Sequence, residues 1–248
     1  MKILESIEKS TSEGQKLLAV LMDPDKMQVG KVKPFIEKVN ATKTNFIFVG
    51  GSIVEEEATE KIVSEIKKFT QLPVIIFPGD VTQITEEAQA ILFLSLLSGR
   101  NPDYLIGKHV EAVSKLKKTT LEIIPTGYIL IENGKQTSVE KVSHTKPMSR
   151  DHIQRIVHTA KAGEFLGMKL IYLEAGSGAL HPVSEEIIKA VKQELNTPLI
   201  VGGGIRTIEK LEVAYKSGAD IVVIGTAFEE DESFFDKLKR TENQEYRL

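Results

Sequence analysis

Residues 199–226 read LIVGGGIRTIEKLEVAYKSGADIVVIGT: two short apolar runs around a charged segment, with glycines where each run ends. The runs 199–201 and 221–224 have the continuous Val/Ile/Leu character of strands buried on both faces, and 208–217 has the spacing of a surface helix. A strand, a crossover helix and a second strand form the repeating unit of a parallel sheet. Gly202, Gly203 and Gly204 stand where the first strand hands over to the helix. Glycine costs about 0.5–1 kcal/mol relative to alanine inside regular structure, so three together mark a backbone that something approaches closely.

The same alternation runs through the whole chain. Apolar runs at 17–22, 46–50, 73–77, 91–97, 123–131 and 170–174 precede the two above. Helices are expected at 29–42, 55–69, 85–89, 104–118, 151–166, 184–195, 208–217 and 233–240. In 55–69, for example, Ala58, Ile62, Ile66 and Phe69 fall on one stripe. Eight strand-helix repeats predict an α/β fold, a (β/α)8 TIM barrel, with a doubly wound open sheet as the alternative. Residues 1–248 are expected to form one domain. The polar stretch 132–150 reads as a loop or extension after the fifth strand, and the tail 241–248 as a fraying end.

The chain has 248 residues, 41% of them hydrophobic and 27% charged, with a net charge of −3 and the two signs interspersed. That balance provides no electrostatic footprint for nucleic acid. Cysteine is absent, which excludes disulfides, thiolate metal sites and cysteine nucleophiles. No signal peptide is visible, and AILFLSLL at 90–97 is far shorter than the ~20 residues of a membrane span, so a cytoplasmic location is expected.

In a barrel the chemistry sits at the C-terminal ends of the strands. The first strand ends in MDPDK at 22–26. Alternation puts Ala19, Leu21 and Asp23 on one face, so Asp23 either points into the barrel mouth or opens a turn before Pro24. The second ends in VGGS, where Ser52 either ligands a hard metal or caps the next helix. The sixth strand reads IYLEAGSG at 171–178. Its polar pair Tyr172 and Glu174 is expected to face inward, with Ile171, Leu173 and Ala175 toward the helices. A carboxylate inside a barrel is costly without partners or a task. Loops after strands seven and eight commonly hold phosphate, so Gly202–Gly204 and Gly225-Thr226 predict a phosphate site at the C-terminal face, built from amide groups and a helix dipole.

LMDPDK, VGGS, YLEAGSG, VGGGI and the GT at 225–226 together resemble the geranylgeranylglyceryl phosphate synthase family, which includes the bacterial heptaprenylglyceryl phosphate synthases. The resemblance runs from about residue 17 to 228. It implies a Mg2+-dependent prenyltransferase of phospholipid biosynthesis. The 3-hydroxyl of sn-glycerol 1-phosphate would be joined to carbon 1 of a polyprenyl diphosphate, with geranylgeranyl diphosphate the expected donor. It implies Asp23 and Ser52 as magnesium ligands and Glu174 as the proton acceptor. Tyr172, Leu173, Glu174, Ala175, Gly176, Ser177, Gly178, Gly203, Gly204, Gly225 and Thr226 would bind glycerol 1-phosphate. A dimer or hexamer is expected from the relatives, and contact with a membrane surface from the greasy product. Two departures stand out: Leu21 replaces a lysine found in some relatives, and Thr226 an asparagine found in many.

Phe93, Leu97, Tyr104, Leu105 and Ile106 are candidates either for a prenyl groove or for ordinary core. The five histidines lie at no metal-ligand spacing and are expected at the surface or at caps. An isomerase or lyase on the same scaffold would need an acid/base pair on opposite strands, and strand five offers only Thr126 and Tyr128. A non-catalytic phosphate binder would keep the glycines without needing Asp23 or Glu174.

Overall fold

Eight strands, β1 (Leu17–Met22), β2 (Phe46–Val49), β3 (Val74–Ile76), β4 (Ala90–Leu96), β5 (Glu122–Leu130), β6 (Leu170–Glu174), β7 (Leu199–Gly202) and β8 (Ile221–Ile224), run parallel in chain order. β8 pairs back onto β1, with Leu17 opposite Ile221, so the sheet closes into a barrel. The computed structural model describes residues 2–52 and 54–225 together with Phe234, Phe235 and Leu238.

Period-two alternation divides the apolar residues into two shells. Ala19, Phe48, Leu92, Tyr128, Tyr172, Ile200 and Val223 fill the barrel interior. Val20, Ile47, Ile91, Ile129, Leu173, Val201 and Val222 face the surrounding helices. Ala19 and Leu21 thus point inward, which settles the face of the first strand.

The helices are α1 (Ile3–Ser12), α2 (Val29–Asn40), α3 (Ala58–Ile66), α4 (Lys108–Leu116), α5 (Ser138–Ser143), α6 (Ile153–Phe165), α7 (Glu185–Glu194) and α8 (Ile208–Lys216). Several begin at a side-chain cap. Ser184 and Thr207, for instance, accept from the backbone N–H of Ile187 and Lys210 at the starts of α7 and α8. α2 buries Val32, Ile36 and Val39, a stripe of helical spacing.

Three expectations are corrected or refined, and one helix is new. Residues 85–89 form no helix: five residues cannot offset the cost of nucleation, and a 3₁₀ turn at Val81–Gln83 takes the crossover instead. Its N-cap Asp80 accepts from the Thr82 N–H at 3.1 Å. The helix expected over 104–118 opens as one π-helical turn, Asp103–Gly107, before α4. The extension 132–150 is ordered enough to contain α5, capped by Thr137. α1 was not expected at all. It places Ile7 in the inner core, and the Glu122 carboxylate at the start of β5 accepts from Ile3 N at 2.5 Å and Leu4 N at 3.1 Å, so α1 plugs the N-terminal end of the barrel. The helix expected at 233–240 and the tail 241–248 lie outside the described residues, apart from Phe234, Phe235 and Leu238, which are buried in the outer core. No helix among the described residues is long and apolar enough to cross a membrane.

Candidate active site

Glu174 ends β6, and register sets it beside Leu130 of β5 and Gly202 of β7. Its side chain is buried at 6% exposure, and Oε1 accepts from the Gly176 N–H at 2.5 Å. Burial pushes its carboxyl above the usual carboxylate range, opposed by the Tyr172 hydroxyl and the Gly176 N–H. That hydroxyl has no hydrogen bond of regular geometry among the described residues, yet it stands close enough to favour the ionised carboxyl. A β-carbon on Gly202 would lie 2.4 Å from the Tyr172 hydroxyl and 2.7 Å from Glu174 Oε2. On Gly203, which has φ +83°, it would lie 2.4 Å from Glu174 Oε1. Two of the three glycines therefore make room for the buried carboxylate and its tyrosine.

Around this pair the strand ends line an open polar cleft. The β6–β8 side is lined by Gly176, Ser177, Gly178, Gly203, Gly204, Arg206 and Gly225, and the β1–β2 side by Leu21, Asp23, Lys26, Gly51 and Ser52. Both readings of Asp23 hold. Its Oδ1 accepts from the Asp25 N–H at 3.2 Å, an Asx turn, while the carboxylate lines the cleft and pairs with Lys26 at 3.5 Å. A β-carbon on Gly51 would be 3.2 Å from Asp23 Oδ1, so the two loops touch. Ser52 caps no helix, because α3 starts at Ala58 with Glu57 as its N-cap. The buried Gln83 clamps this loop, donating to Gly51 O at 2.7 Å and accepting from Gly51 N at 3.2 Å.

A second, apolar cleft of about 820 Å³ opens from the first and shares Gly51, Ser52, Phe77, Tyr128 and Val139 with it. It follows the third crossover, lined by Pro78, Val81 and Ile84 there and by Ile91, Phe93, Leu94, Tyr104 and Ala112 beyond. An Asp80–Lys108 ion pair lies along it. Of the expected groove residues, Phe93 and Tyr104 line it and Leu97, Leu105 and Ile106 do not. His109 contradicts the surface expectation: it is buried, packs edge-on to Phe93 at 4.3 Å and meets Ser95 Oγ at 3.2 Å. Burial lowers its pKa. Where the two clefts meet, the rings of Phe77, Tyr128 and Tyr172 contact one another at centroid distances of 5.4 to 5.9 Å.

A family model described as PcrB matches residues 12–242. The chain belongs to the PcrB family. It is 57% identical over 231 residues to the geranylgeranylglyceryl phosphate synthase of Zunongwangia profunda, covering 93% of this chain and 98% of that protein. To the protein of the same name from Flavobacterium johnsoniae it is 54% identical over 239 residues, covering 95% and 98%. The crystal structure of (S)-3-O-geranylgeranylglyceryl phosphate synthase from Thermoplasma acidophilum, in complex with its substrate sn-glycerol-1-phosphate, superposes with a TM-score of 0.90 at 35% identity, covering 96% of each chain.

In this PcrB-family chain the polar cleft gathers Asp23, Ser52, Tyr172, Glu174, Gly176, Ser177, Gly178, Gly203, Gly204 and Gly225, as expected from the sequence. Leu173 and Ala175 lie on the same strand end but pack in the outer shell and do not line the cleft. Thr226 lies outside the described residues. Missed were Thr137, Ser138 and Val139 of the extension, Arg206 directly after VGGGI, and Gln83. Lys135, also unforeseen, has its ammonium 2.8 Å from where a Gly178 β-carbon would stand. Arg206 was within reach of sequence reasoning, since a cation following a phosphate loop has an obvious use.

Proposed function

We propose that the chain joins the 3-hydroxyl of sn-glycerol 1-phosphate to carbon 1 of a long polyprenyl diphosphate, geranylgeranyl diphosphate, releasing diphosphate in ether-phospholipid biosynthesis. The carrying observation is the junction of the two clefts at Ser52, Phe77 and Tyr128: one cleft is polar and holds a buried carboxylate, the other is apolar. An alcohol bearing a phosphate suits the first, and a hydrocarbon chain bearing a diphosphate at one end suits the second.

The glycerol phosphate sits on the loops after β6, β7 and β8. There the loops of Ser177, Gly178, Gly203, Gly204 and Gly225, with the adjacent N-terminus of α8, favour an anion. Arg206 and Lys135 add positive charge. The bond from carbon 1 to the diphosphate oxygen breaks, its electron pair leaving with diphosphate. A lone pair of the alcohol oxygen forms the new C–O bond, and the hydroxyl proton passes to Glu174. A general base with a raised pKa is matched to an alcohol proton near neutral pH. The rings of Phe77, Tyr128 and Tyr172 cluster near the junction, where positive charge develops on the allyl group.

Asp23 and Ser52 fit magnesium. They are hard oxygen donors on touching loops, and Mg2+ takes one or two protein oxygens when substrate phosphate supplies the rest. Among the described residues no cluster of three or more His, Cys, Asp or Glu side chains is placed to hold a metal without such help. Bound there, the ion would neutralise charge on the departing diphosphate. The amphiphilic product supports release at a membrane surface.

The test is product formation by the purified protein from sn-glycerol 1-phosphate and donors of increasing chain length, from C15 to C35. The ether lipid phosphate is expected with Mg2+ and is lost on chelation. Absence of product with every donor refutes the reading.

A further inference from the structure

On the outer rim of the barrel, between the end of β4, the segment after α5 and the start of α6, lie two adjoining surface pockets of about 670 and 780 Å³. They share Ser98, Arg100 and Lys146, and neither has a lining residue in common with the polar or the apolar cleft. Arg155 and His152 line the first and His144 the second, while no Asp or Glu lines either.

The charge here is uncompensated. Among the described residues, Arg100, Lys146 and Arg155 take part in no ion pair, whereas lysines elsewhere are repeatedly matched with carboxylates, as in Lys161–Glu164 or Lys192–Asp220. Arg100 is tied in place, its Nη1 donating to the carbonyls of Leu97 at 3.1 Å and Gly99 at 2.5 Å. α6 starts beside the pocket with neither a side-chain cap nor a carboxylate in its first turn, so the positive end of its dipole adds to the same field. Ser98 Oγ accepts from the Leu130 N–H at 3.0 Å, which leaves its own proton to donate. Two guanidinium groups, an ammonium, a hydroxyl and a helix N-terminus, with no carboxylate in the lining, form the donor set that recognises phosphate oxygens.

We propose that this rim cluster is a second anion site, specific for a phosphate group presented either by an acidic lipid headgroup or by a free phosphate. It does not depend on the reaction proposed above, because neither cleft contributes to it.

The test compares the wild type with the triple variant R100Q/K146Q/R155Q, whose exposed positions leave the core untouched, with thermal melting as the check on folding. One arm measures co-sedimentation with phosphatidylcholine vesicles prepared with and without phosphatidylglycerol. The other measures calorimetric binding of inorganic phosphate, where the difference between the two proteins isolates the rim from the mouth. Removal of three cations near an anionic surface predicts a loss of binding of about a hundredfold. Retention on phosphatidylglycerol vesicles that disappears in the variant assigns the lipid source. A phosphate-binding event lost in the variant, with no vesicle retention, assigns the free ion. Identical behaviour of the two proteins in both arms overturns the proposal.

Discussion

Glu174 is a buried carboxylate whose titration bears on stability, and in the proposed reaction it also takes the alcohol proton. Folding raises its pKa, so the folded chain holds this proton more tightly than the unfolded chain. Stability is therefore lost as pH rises from the ordinary carboxylate value of about 4.3 through the raised one. Glu174→Gln removes that loss. The variant is expected to melt higher than the wild type at neutral pH, with the gap closing in acid, as thermal unfolding across pH will show. Its turnover should fall by about 10²–10⁴-fold while glycerol 1-phosphate still binds. Gly202→Ala drives a methyl group into the Tyr172 hydroxyl and Glu174, and should cost about 1–3 kcal/mol in chemical denaturation besides activity. The inward pair Tyr172 and Glu174 was legible because strand alternation is a local rule. The reason for Gly202 was not, since its neighbours belong to another strand and are set by the register of β6 against β7.

At the scale of elements, the long apolar runs announced themselves and the short connections did not. β1, β6 and β8 lie where the hydrophobic pattern puts them, to the residue. The third crossover was misread as a helix because 85–89 has helical composition but not helical length. That crossover lines the apolar cleft and supplies Gln83, so a feature of the candidate site hid in the least regular part of the chain. α1 escaped notice because only Ile3, Leu4 and Ile7 are apolar in it, and its main anchor, Glu122, is 118 residues distant from Leu4. Glu122→Ala removes two helix-terminal acceptors and should destabilise the fold by about 1–2 kcal/mol, measurable in urea. Glu164, on α6, gives a contrary pH signature to Glu174. Burial works against its charge, but Lys161 and the N–H groups of Thr197 and Asn196 prevail and hold its carboxyl at about 2. Its contribution is present above the ordinary carboxylate range and lost as pH falls toward that value. Glu164→Gln should lower the melting temperature at neutral pH, with the difference shrinking in acid.

Over the whole molecule, strand order, closure and the C-terminal-face location of the polar cleft follow from eightfold alternation, which any single stretch of the sequence only samples. The glycines of VGGGI read as a phosphate cradle. In the barrel their first two members are also the space that lets a carboxylate sit beside that cradle. The apolar cleft was only half legible, since Phe93 and Tyr104 were among its candidates while Ile84, Ile91 and Ala112 come together from separate elements. In the proposed reaction the polar cleft and the apolar cleft act together, with a phosphate position that fixes which hydroxyl faces Glu174. The most direct measurement is an enantiomer-resolved assay of the purified protein with geranylgeranyl diphosphate, Mg2+ and either sn-glycerol 1-phosphate or sn-glycerol 3-phosphate. Ether product from the 1-phosphate and little from its mirror image is the predicted result; no ether product from either, or equal product from both, would contradict it.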